Sequence, residues 1–510
     1  MRQYIKNIGM LLTFATAVQL SANAQTSNSS YFLEGAQFRH QLNPALSVQR
    51  NYISMPALGN LTFGARSSAG VSNFLYTLPN GDLTTFMNGV VDRNEFLGSL
   101  PNKVRIGADL DMTILAFGFH AWEGFNTFSL GLKSRTNVNL PKDLFAFMKD
   151  PADERYEIEN LGVNTTNYVE MAFGHSRQIN EQWTVGAKAK FLLGAARAKV
   201  KIESLNVELA ENAWKITPKN ATFETAVGGM ILPTKGETGN YQEDDYTLDA
   251  DGNRTDVLKP GTDEQVSYDD IDFDSGSVGP AGWGLAFDLG ATYKLNDDWN
   301  FSAAVLDLGF MSWKDAIKGS MSNTFEFDGF HEVPVEETEE NKHNSLENQA
   351  DRMVDDLADL AKFKRDEVGG KMTTALAATV NLGAQYTLPV YRKVNFGFLS
   401  STKIYGENSW TEARLSANYA PASFFEMSLN YALSNFGSTA GMFLNFCHPS
   451  LDLFLGVDFP IGKMEPSYFV PINKFGLQVN LGMNITFGKL RKESKLSKKL
   501  VKNTSSDAII

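Results

Sequence analysis

The sequence predicts an all-β fold, a transmembrane antiparallel β-barrel of about fourteen strands with an N-terminal luminal plug and long extracellular loops containing a helix. The clearest strand is 473–487, in which every second residue from Phe475 to Phe487 is large and apolar. Alternation over about ten or more residues is what a tilted strand needs to cross a bilayer. An export signal opens the chain, and no later apolar run is long enough for a membrane-spanning helix.

The first element is a predicted secretory signal peptide, residues 1–24. Arg2 and Lys6 supply its positive start, residues 8–20 are mostly apolar, and Ala22-Asn23-Ala24 is a small-residue cleavage site. With the barrel topology, this signal predicts the outer membrane of a Gram-negative bacterium. The expected surroundings are outer-membrane lipid and lipopolysaccharide.

Residues 25–56 lie between the signal and the first predicted strand. A closed barrel of fourteen strands has a lumen wider than the side chains of its wall alone can fill. We therefore expect 25–56 to be a hatch or plug that enters the lumen from the periplasmic side.

The barrel itself is assigned to residues 57–488. Short turn-like connections alternate strictly with longer ones, and the longest are the predicted extracellular insertions 70–103, 140–164, 201–281 and 314–371. This pattern is typical of outer-membrane barrels, which have short periplasmic turns and longer outside loops. The predicted strands lie near 58–69, 104–120, 126–139, 165–179, 183–200, 282–295, 299–313, 372–388, 394–404, 410–420, 424–434, 438–447, 451–460 and 473–487.

The insertions carry two further features. Segment 237–275 has thirteen Asp or Glu against two basic residues, a net charge of 2 − 13 = −11. Within it Asp249, Asp251 and Asn253 have the oxygen spacing of a calcium loop, but no acidic residue closes the loop as in an EF-hand. A solvated surface loop is the plainer interpretation, and weak Ca²⁺ or Mg²⁺ binding is the alternative. No other cofactor is expected. Residues 344–367 have helical apolar spacing and predict a helix over the barrel mouth.

The ends and the overall charge limit the partners. Residues 489–510 form a basic tail, with seven Lys or Arg and two acids, that is expected in the periplasm. The whole chain carries a net charge of −13 and shows no basic stripe, so no nucleic-acid partner is expected. Neither an H-E-x-x-H nor a G-x-S-x-G motif occurs, and we expect no enzymatic activity.

Ionisable residues occupy predicted inward positions of the strands. Ion pairs that hold the wall and the plug are the preferred interpretation. The alternative is an anion-attracting constriction, because the bases outnumber the acids seven to three. These predicted luminal residues are Arg66, Arg105, Asp109, Asp111, Lys133, Arg135, Arg177, Lys188, Lys190 and Asp288.

Two short motifs point to a family. Asn43-Pro44-Ala45, in the sequence RHQLNPALSV, resembles the NPA motif in the N-terminal hatch of the long-chain fatty-acid transporter superfamily of fourteen-stranded barrels. This motif, the end of the signal and Leu306-Asp307-Leu308-Gly309-Phe310 together resemble a Bacteroidota branch of that superfamily. The branch includes the type IX secretion barrel that shuttles cargo and a domain of unknown function, which this chain resembles most. The resemblance implies a luminal hatch with Asn43 and Pro44 as its fixed turn.

Two functions are compatible with these features. The first is passive uptake of hydrophobic or amphipathic small molecules through a hatch-gated lumen. The alternative is a non-transport binding or assembly barrel, similar to the secretion shuttle or to a scaffold for surface proteins, whose partner is a secreted protein. The hatch resemblance favours uptake, and the size of 201–281 and 314–371 favours assembly.

Overall fold

A computed structural model of the chain describes residues 28–488 apart from short gaps. The gaps are 79, 150–154, 211–212, 250–253, 275, 278, 322, 330, 332, 335–337, 339–344, 361, 462–463, 466–469 and 472–473. The predicted signal peptide and basic tail lie outside the described residues.

Fourteen antiparallel strands close into a barrel, which confirms the predicted fold class. The first strand pairs with both the second and the last, so the ring of strands closes on itself. The strands are β1 (Asn51–Ser54 and Leu61–Ser67), β2 (Lys103–Ala121), β3 (Gly124–Pro141), β4 (Arg155–Gln178), β5 (Trp183–Ala210), β6 (Gly282–Lys294), β7 (Trp299–Met321), β8 (Lys364–Ala375 and Ala378–Thr387), β9 (Val394–Ile404), β10 (Trp410–Ala422), β11 (Phe425–Ser434), β12 (Gly437–His448), β13 (Leu451–Pro460) and β14 (Phe475–Phe487).

The shorter elements lie in the connections. The α-helices are α1 (Arg93–Ser99), α2 (Lys142–Lys149), α3 (Lys235–Thr238) and α4 (Leu346–Asp359). Short strands lie at Leu75–Thr77, Leu83–Thr85, Met230–Ile231, Tyr246–Leu248, Arg254–Leu258, Asp272–Phe273, Phe325–Phe327, Met464–Glu465 and Val470–Pro471. Among the described residues, no helix is long and apolar enough to cross a membrane.

The outward face of the barrel is apolar and the inward face is small or polar. On β6, Leu285, Phe287 and Leu289 are 39–57% exposed, whereas the intervening Ala286 and Asp288 are buried. A soluble sheet buries its apolar face, so this reversed order identifies the outer surface as the lipid-facing one.

Aromatic side chains border the lipid-facing band. Beside the short turns, Trp183 packs against Tyr293 with ring centroids 4.8 Å apart. Towards the long loops, Trp283 meets Phe310 with centroids 5.9 Å apart. Trp283 and Tyr293 are ten residues apart on β6, which for a strand tilted by about 40° is roughly 26 Å along the barrel axis. That height matches the apolar band of a transmembrane barrel.

The wall extends beyond this band on the side of the long loops. β4 has 24 residues and β5 has 28, far more than a bilayer requires. An additional strand, Ala213–Val227, pairs with the outer part of β5 and with β7, in the position that β6 occupies lower down. Much of the predicted insertion 201–281 is therefore sheet, because its Val and Ile side chains find cross-strand partners there.

The predicted helix 344–367 is correct in its first part and wrong in its last. Helix α4 ends at Asp359 and β8 begins at Lys364. Phe363 is buried against Phe223, and Glu367 pairs with Lys318 on β7. Gly369 and Gly370 also disfavour a helix, so cross-strand contacts determine this end.

Candidate functional site in the barrel lumen

Residues 28–49, the luminal segment, are surrounded by inward-facing side chains. Asn28 bonds to Glu412 on β10, Tyr31 to Ser302 on β7, and Gly35 to Glu426 on β11. Further contacts reach Lys188 on β5 and Asp458 on β13, which lie on opposite sides of the ring of strands, so the segment lies inside it. The last part of the predicted hatch differs, since Asn51–Ser54 belongs to β1.

The luminal segment folds on itself rather than joining the sheet. Its short helical turns, Asn28–Ser30 and Arg39–Gln41, are closed by backbone hydrogen bonds within the segment. Among the described residues, the hydrogen bonds between the segment and the wall each involve a side chain on at least one partner. Two apolar clusters pack the segment against the wall. One contains Leu33, Phe38, Val48, Tyr52, Phe125, Phe443 and Phe454, and the other contains Tyr31, Phe32, Leu42, Leu46 and Leu399.

Asn43 fixes the turn that the sequence motif predicts. Its Oδ1 accepts from the backbone N–H of Ala45 at 2.9 Å, which closes an Asx turn around Pro44. Its Nδ2 donates to Tyr31 Oη at 3.2 Å and to the backbone carbonyl of Ala303 at 3.3 Å. Asn43 is fully buried, so both ends of the amide are used where water cannot replace them.

Two wall glycines receive this turn. A Cβ atom placed on Gly186 would lie 2.3 Å from the carbonyl carbon of Pro44, and one on Gly290 would lie 2.0 Å from Asn43 Oδ1. Real Cβ atoms do not approach that closely, so only glycine at these positions of β5 and β6 lets the turn touch the wall.

A polar chain links the segment to β5. Lys188 Nζ lies 3.0 Å from His40 Nδ1, and His40 Nε2 lies 2.7 Å from Tyr52 Oη. The lysine is a donor, so Nδ1 is the acceptor and Nε2 carries the proton. Burial, and then the Lys188 charge, lower the pKa of His40 well below its usual range. The imidazole is therefore neutral.

The start of the segment is held by an ion pair. Arg414 Nη2 donates to Asp458 at 2.8 Å, and its Nη1 donates to Ser29 Oγ at 2.6 Å. Ser29 in turn donates to Asp458 at 2.6 Å. All three residues are buried, so the serine completes a network that would otherwise keep an unfilled acceptor.

Above the luminal segment, ionisable side chains form a charged layer across the lumen. Lys190 lies 2.8 Å from Asp288 and 3.6 Å from Glu170, and it also contacts Asp307. Arg135 lies 2.7 Å from Asp111 and 3.8 Å from Asp109. The members are Arg66, Asp109, Asp111, Lys133, Arg135, Glu170, Lys188, Lys190, Asp288, Asp307 and Lys403.

Eight of the ten predicted luminal charges lie in this layer. Arg105 faces the lumen nearer the outer end, with its guanidinium carbon 5.4 Å from the centre of the Phe436 ring. Arg177 is not luminal: it shares the outward face of β4 with Phe173 and pairs with Glu123 in the adjacent turn. That assignment was wrong because a charge at a strand end can face outward into water.

Three members of the layer were missed. Glu170 and Lys403 follow the same alternation as the predicted residues and could have been included on that ground. Asp307 could not, because a bulge places both Leu306 and Asp307 opposite the single residue Asp288. With these three, six bases face five acids, and the predicted excess of bases nearly disappears.

Two cavities lie on either side of the charged layer. The outer cavity, of about 610 Å³ including its open side, is lined by Arg66, Arg135, Asn137, Thr166, Tyr168, Asp307, Thr374, Ala375, Leu376, Ala377, Lys403, Tyr405 and Asn408. The inner cavity, of about 540 Å³ with its open side included in the same way, is bounded by Asn28, Gln41 and Leu42 of the luminal segment and by the layer. One side of the outer cavity is cationic and the other is apolar, backed by the buried Trp313 and Met311.

The calcium prediction stays untested. Asp249 is exposed, and Asp251 and Asn253 lie outside the described residues. Within the part of the chain that the structure describes, no group of three or more His, Cys, Asp or Glu could hold a metal ion.

Fold and lumen together define an outer-membrane-type β-barrel whose interior is occupied by its own N-terminal segment. The chain belongs to a family of unknown function, DUF5723, whose model matches residues 44–458. The match begins inside the Asn43-Pro44-Ala45 turn and runs to β13. No curated protein matches the chain.

Solved barrels show a distant likeness. The toluene transporter TodX of P. putida is 10% identical with a TM-score of 0.36, over 92% of this chain and 96% of that one. A FadL homologue of Pseudomonas aeruginosa is 10% identical with a TM-score of 0.40, over 92% and 100%. The toluene transporter TbuX of Ralstonia pickettii is 8% identical with a TM-score of 0.36, over 88% and 93%.

Proposed function

We propose that this chain is a passive uptake barrel of the outer membrane for small amphipathic molecules, with residues 28–49 as its hatch. The observation that carries the proposal is the pair of cavities along the lumen. The outer one opens towards the long loops, and the inner one is closed by the luminal segment. A molecule that passes both cavities needs only the hatch to move in order to leave on the other side.

The lining of the outer cavity indicates the kind of molecule. Arg66, Arg135 and Lys403 line this cavity beside a single acid, Asp307. Their buried partners Asp109 and Asp111 lie outside the lining, so the surface that a ligand meets is mainly cationic and suits an anionic group. The opposite side, around Leu376, offers apolar contact. An amphipathic molecule with an acidic head and a short apolar body satisfies both sides.

The attachment of the hatch is compatible with movement. Side-chain bonds and packing hold it to the wall, so releasing it breaks none of the strand ladders that close the barrel. A plug that was a strand of the sheet could not leave without opening an edge to lipid.

A reversible disulfide tests the proposal. A Cβ atom on Gly35 would lie 2.5 Å from the sulfur of Cys447, which is too close without a small shift of the segment. After that shift the two thiols are within reach of each other, so Gly35→Cys is expected to cross-link the hatch to β12. Uptake of a medium-chain alkyl carboxylate into proteoliposomes should fall at least tenfold on oxidation and recover on reduction. Gly35→Ser, which has the same size but forms no cross-link, should be insensitive to oxidation.

The opposite result would contradict the proposal. Equal uptake by the cross-linked and reduced forms, with cross-linking verified by mass spectrometry, would show that the hatch does not control passage. A protein released together with the barrel from cells, with no uptake in any form, would instead favour the assembly alternative.

A further inference from the structure

We propose that Asp307, facing Arg135, forms an ionic gate between the two cavities, distinct from the hatch; this inference rests on the proposed uptake function. Among the described residues, the linings of the outer and inner cavities share two members, Arg135 and Asp307. On this proposal, a molecule that moves from one cavity to the other passes between these side chains. They lie on β3 and β7, which are separated along the wall by three strands.

The backbone conformation at Asp307 directs its side chain towards both cavities. Its φ is +59°, a left-handed conformation that residues other than glycine seldom adopt. The bulge inserts it opposite Asp288, whose Oδ1 accepts the Asp307 N–H at 2.8 Å. Strained residues of this kind persist where the surrounding structure holds them, and they cluster at functional positions.

The Asp307 side chain is more exposed than those of its partners. Its side chain is 26% exposed, whereas those of Lys190 and Asp288 are 7% and 1% exposed. The carboxylate therefore stands at the open space while the groups that hold it are embedded in the wall.

Opening this gate leaves no buried cation without a partner. Lys190 holds Asp307 but also lies 2.8 Å from Asp288 and 3.6 Å from Glu170. When Asp307 swings away, the lysine keeps two carboxylates, so the large penalty for an unpaired buried charge is avoided. On the other side, Arg135 remains paired with Asp111.

An anionic head group would operate this gate directly. It is attracted to Arg135 from the outer cavity and repels the carboxylate of Asp307, which is of like charge. A neutral molecule of the same size lacks that repulsion. The gate therefore selects for acidic molecules, while the hatch closes the lumen to all of them.

Thiol labelling from outside the barrel tests the gate. Two reporters in a Cys447→Ser background are needed: Ser401→Cys in the inner cavity and Asn408→Cys in the outer cavity. Asp307→Gly, which keeps the left-handed backbone but removes the side chain, should raise labelling of the Ser401→Cys thiol by a negatively charged methanethiosulfonate at least tenfold. Labelling of the Asn408→Cys thiol should change less than twofold.

A second variant guards against misfolding and separates charge from size. Asparagine tolerates the same left-handed backbone and has the same shape as aspartate. Asp307→Asn should therefore raise labelling of the Ser401→Cys thiol less than Asp307→Gly does, because only the charge is lost. Unchanged labelling of the Ser401→Cys thiol in both variants, with folded barrels verified by electrophoretic mobility, would overturn the gate. If the Gly35→Cys cross-link still blocked uptake, the hatch function would survive that result. Conversely, if the Asp307 variants raised labelling but the Gly35→Cys cross-link did not block uptake, only the hatch function would be rejected.

Discussion

The Nζ atom of Lys188 on the barrel wall lies 3.0 Å from Nδ1 of His40 in the luminal segment, and Nε2 of the same imidazole is hydrogen-bonded to Tyr52 Oη. This chain of polar atoms is buried between the wall and the segment. It makes the seating of the segment depend on a neutral histidine.

Acid is expected to loosen the hatch. In the seated segment the pKa of His40 lies far below the ordinary value of about 6.5, and release of the segment into water restores that ordinary pKa. Above about pH 6.5 the histidine is neutral in both states and its contacts stabilise the seated segment in full. Below about pH 6.5 the released histidine binds a proton that the seated one does not, so this stabilisation is lost as the pH falls. Labelling of Cys447, which the hatch covers at Gly35, should rise at pH 5 relative to a His40→Gln variant measured at the same pH. A constant ratio between pH 5 and pH 8 would show that His40 does not report on seating.

The wall glycines should be intolerant of one added methyl group. Gly186→Ala and Gly290→Ala place a Cβ inside the contact distance of Pro44 and Asn43. Overpacking of this kind costs about 1–3 kcal/mol, so Cys447 labelling should increase by roughly one order of magnitude. Gly476→Ala is the matched control, because its Cβ would meet only Thr439 at an ordinary 3.5 Å. Similar labelling in all three variants would argue against close contact of the turn with the wall.

Asn43→Ala should unseat the turn. It removes the acceptor for the Ala45 N–H at a site without access to water, and it removes one of two partners of Tyr31 Oη, which keeps Ser302. Leaving a buried N–H unsatisfied costs about 1–3 kcal/mol. Hydrogen exchange of residues 28–49 should accelerate, whereas Gln49→Ala, at an exposed pair with Glu34, should leave it unchanged.

Arg414→Ala should destabilise the whole barrel. It leaves Asp458 buried without its cation, a loss of about 3–5 kcal/mol when one partner of a buried pair is removed. Heat-dependent electrophoretic mobility in detergent should reveal the lower unfolding temperature. Arg392→Ala, at a half-exposed pair with Asp298, should behave like the parent chain. An unchanged Arg414→Ala barrel would mean that the network around Ser29 does not hold the wall.

The barrel could be predicted from the sequence because its lipid-facing side chains repeat with a period of two. Leu285, Phe287 and Leu289 show the rule, and the inward charges such as Lys188 and Lys190 follow from the intervening positions. Arg177 has the same alternation as the outward-facing Phe173. It was assigned to the lumen for its charge, because the alternation does not show where the membrane ends and water begins. Asp307 could not be assigned because one bulged residue shifts the alternation, and a bulge leaves no compositional sign.

The lumen and the outer wall depended on contacts between distant residues. The Asn43-Pro44-Ala45 motif indicated a turn, but nothing local showed that Gly186 and Gly290 receive it. Likewise, Ala213–Val227 becomes a strand only because β5 and β7 extend beyond the membrane to pair with it.

The luminal segment also constrains the order of assembly. Ser29 bonds to Asp458, which lies 429 residues later, and Gly35 bonds to Glu426, 391 residues later. Contacts between such distant residues form slowly, because the whole intervening chain must first be arranged. We therefore expect the luminal segment, which precedes the wall in the chain, to reach its native contacts only after β11 and β13 are in place.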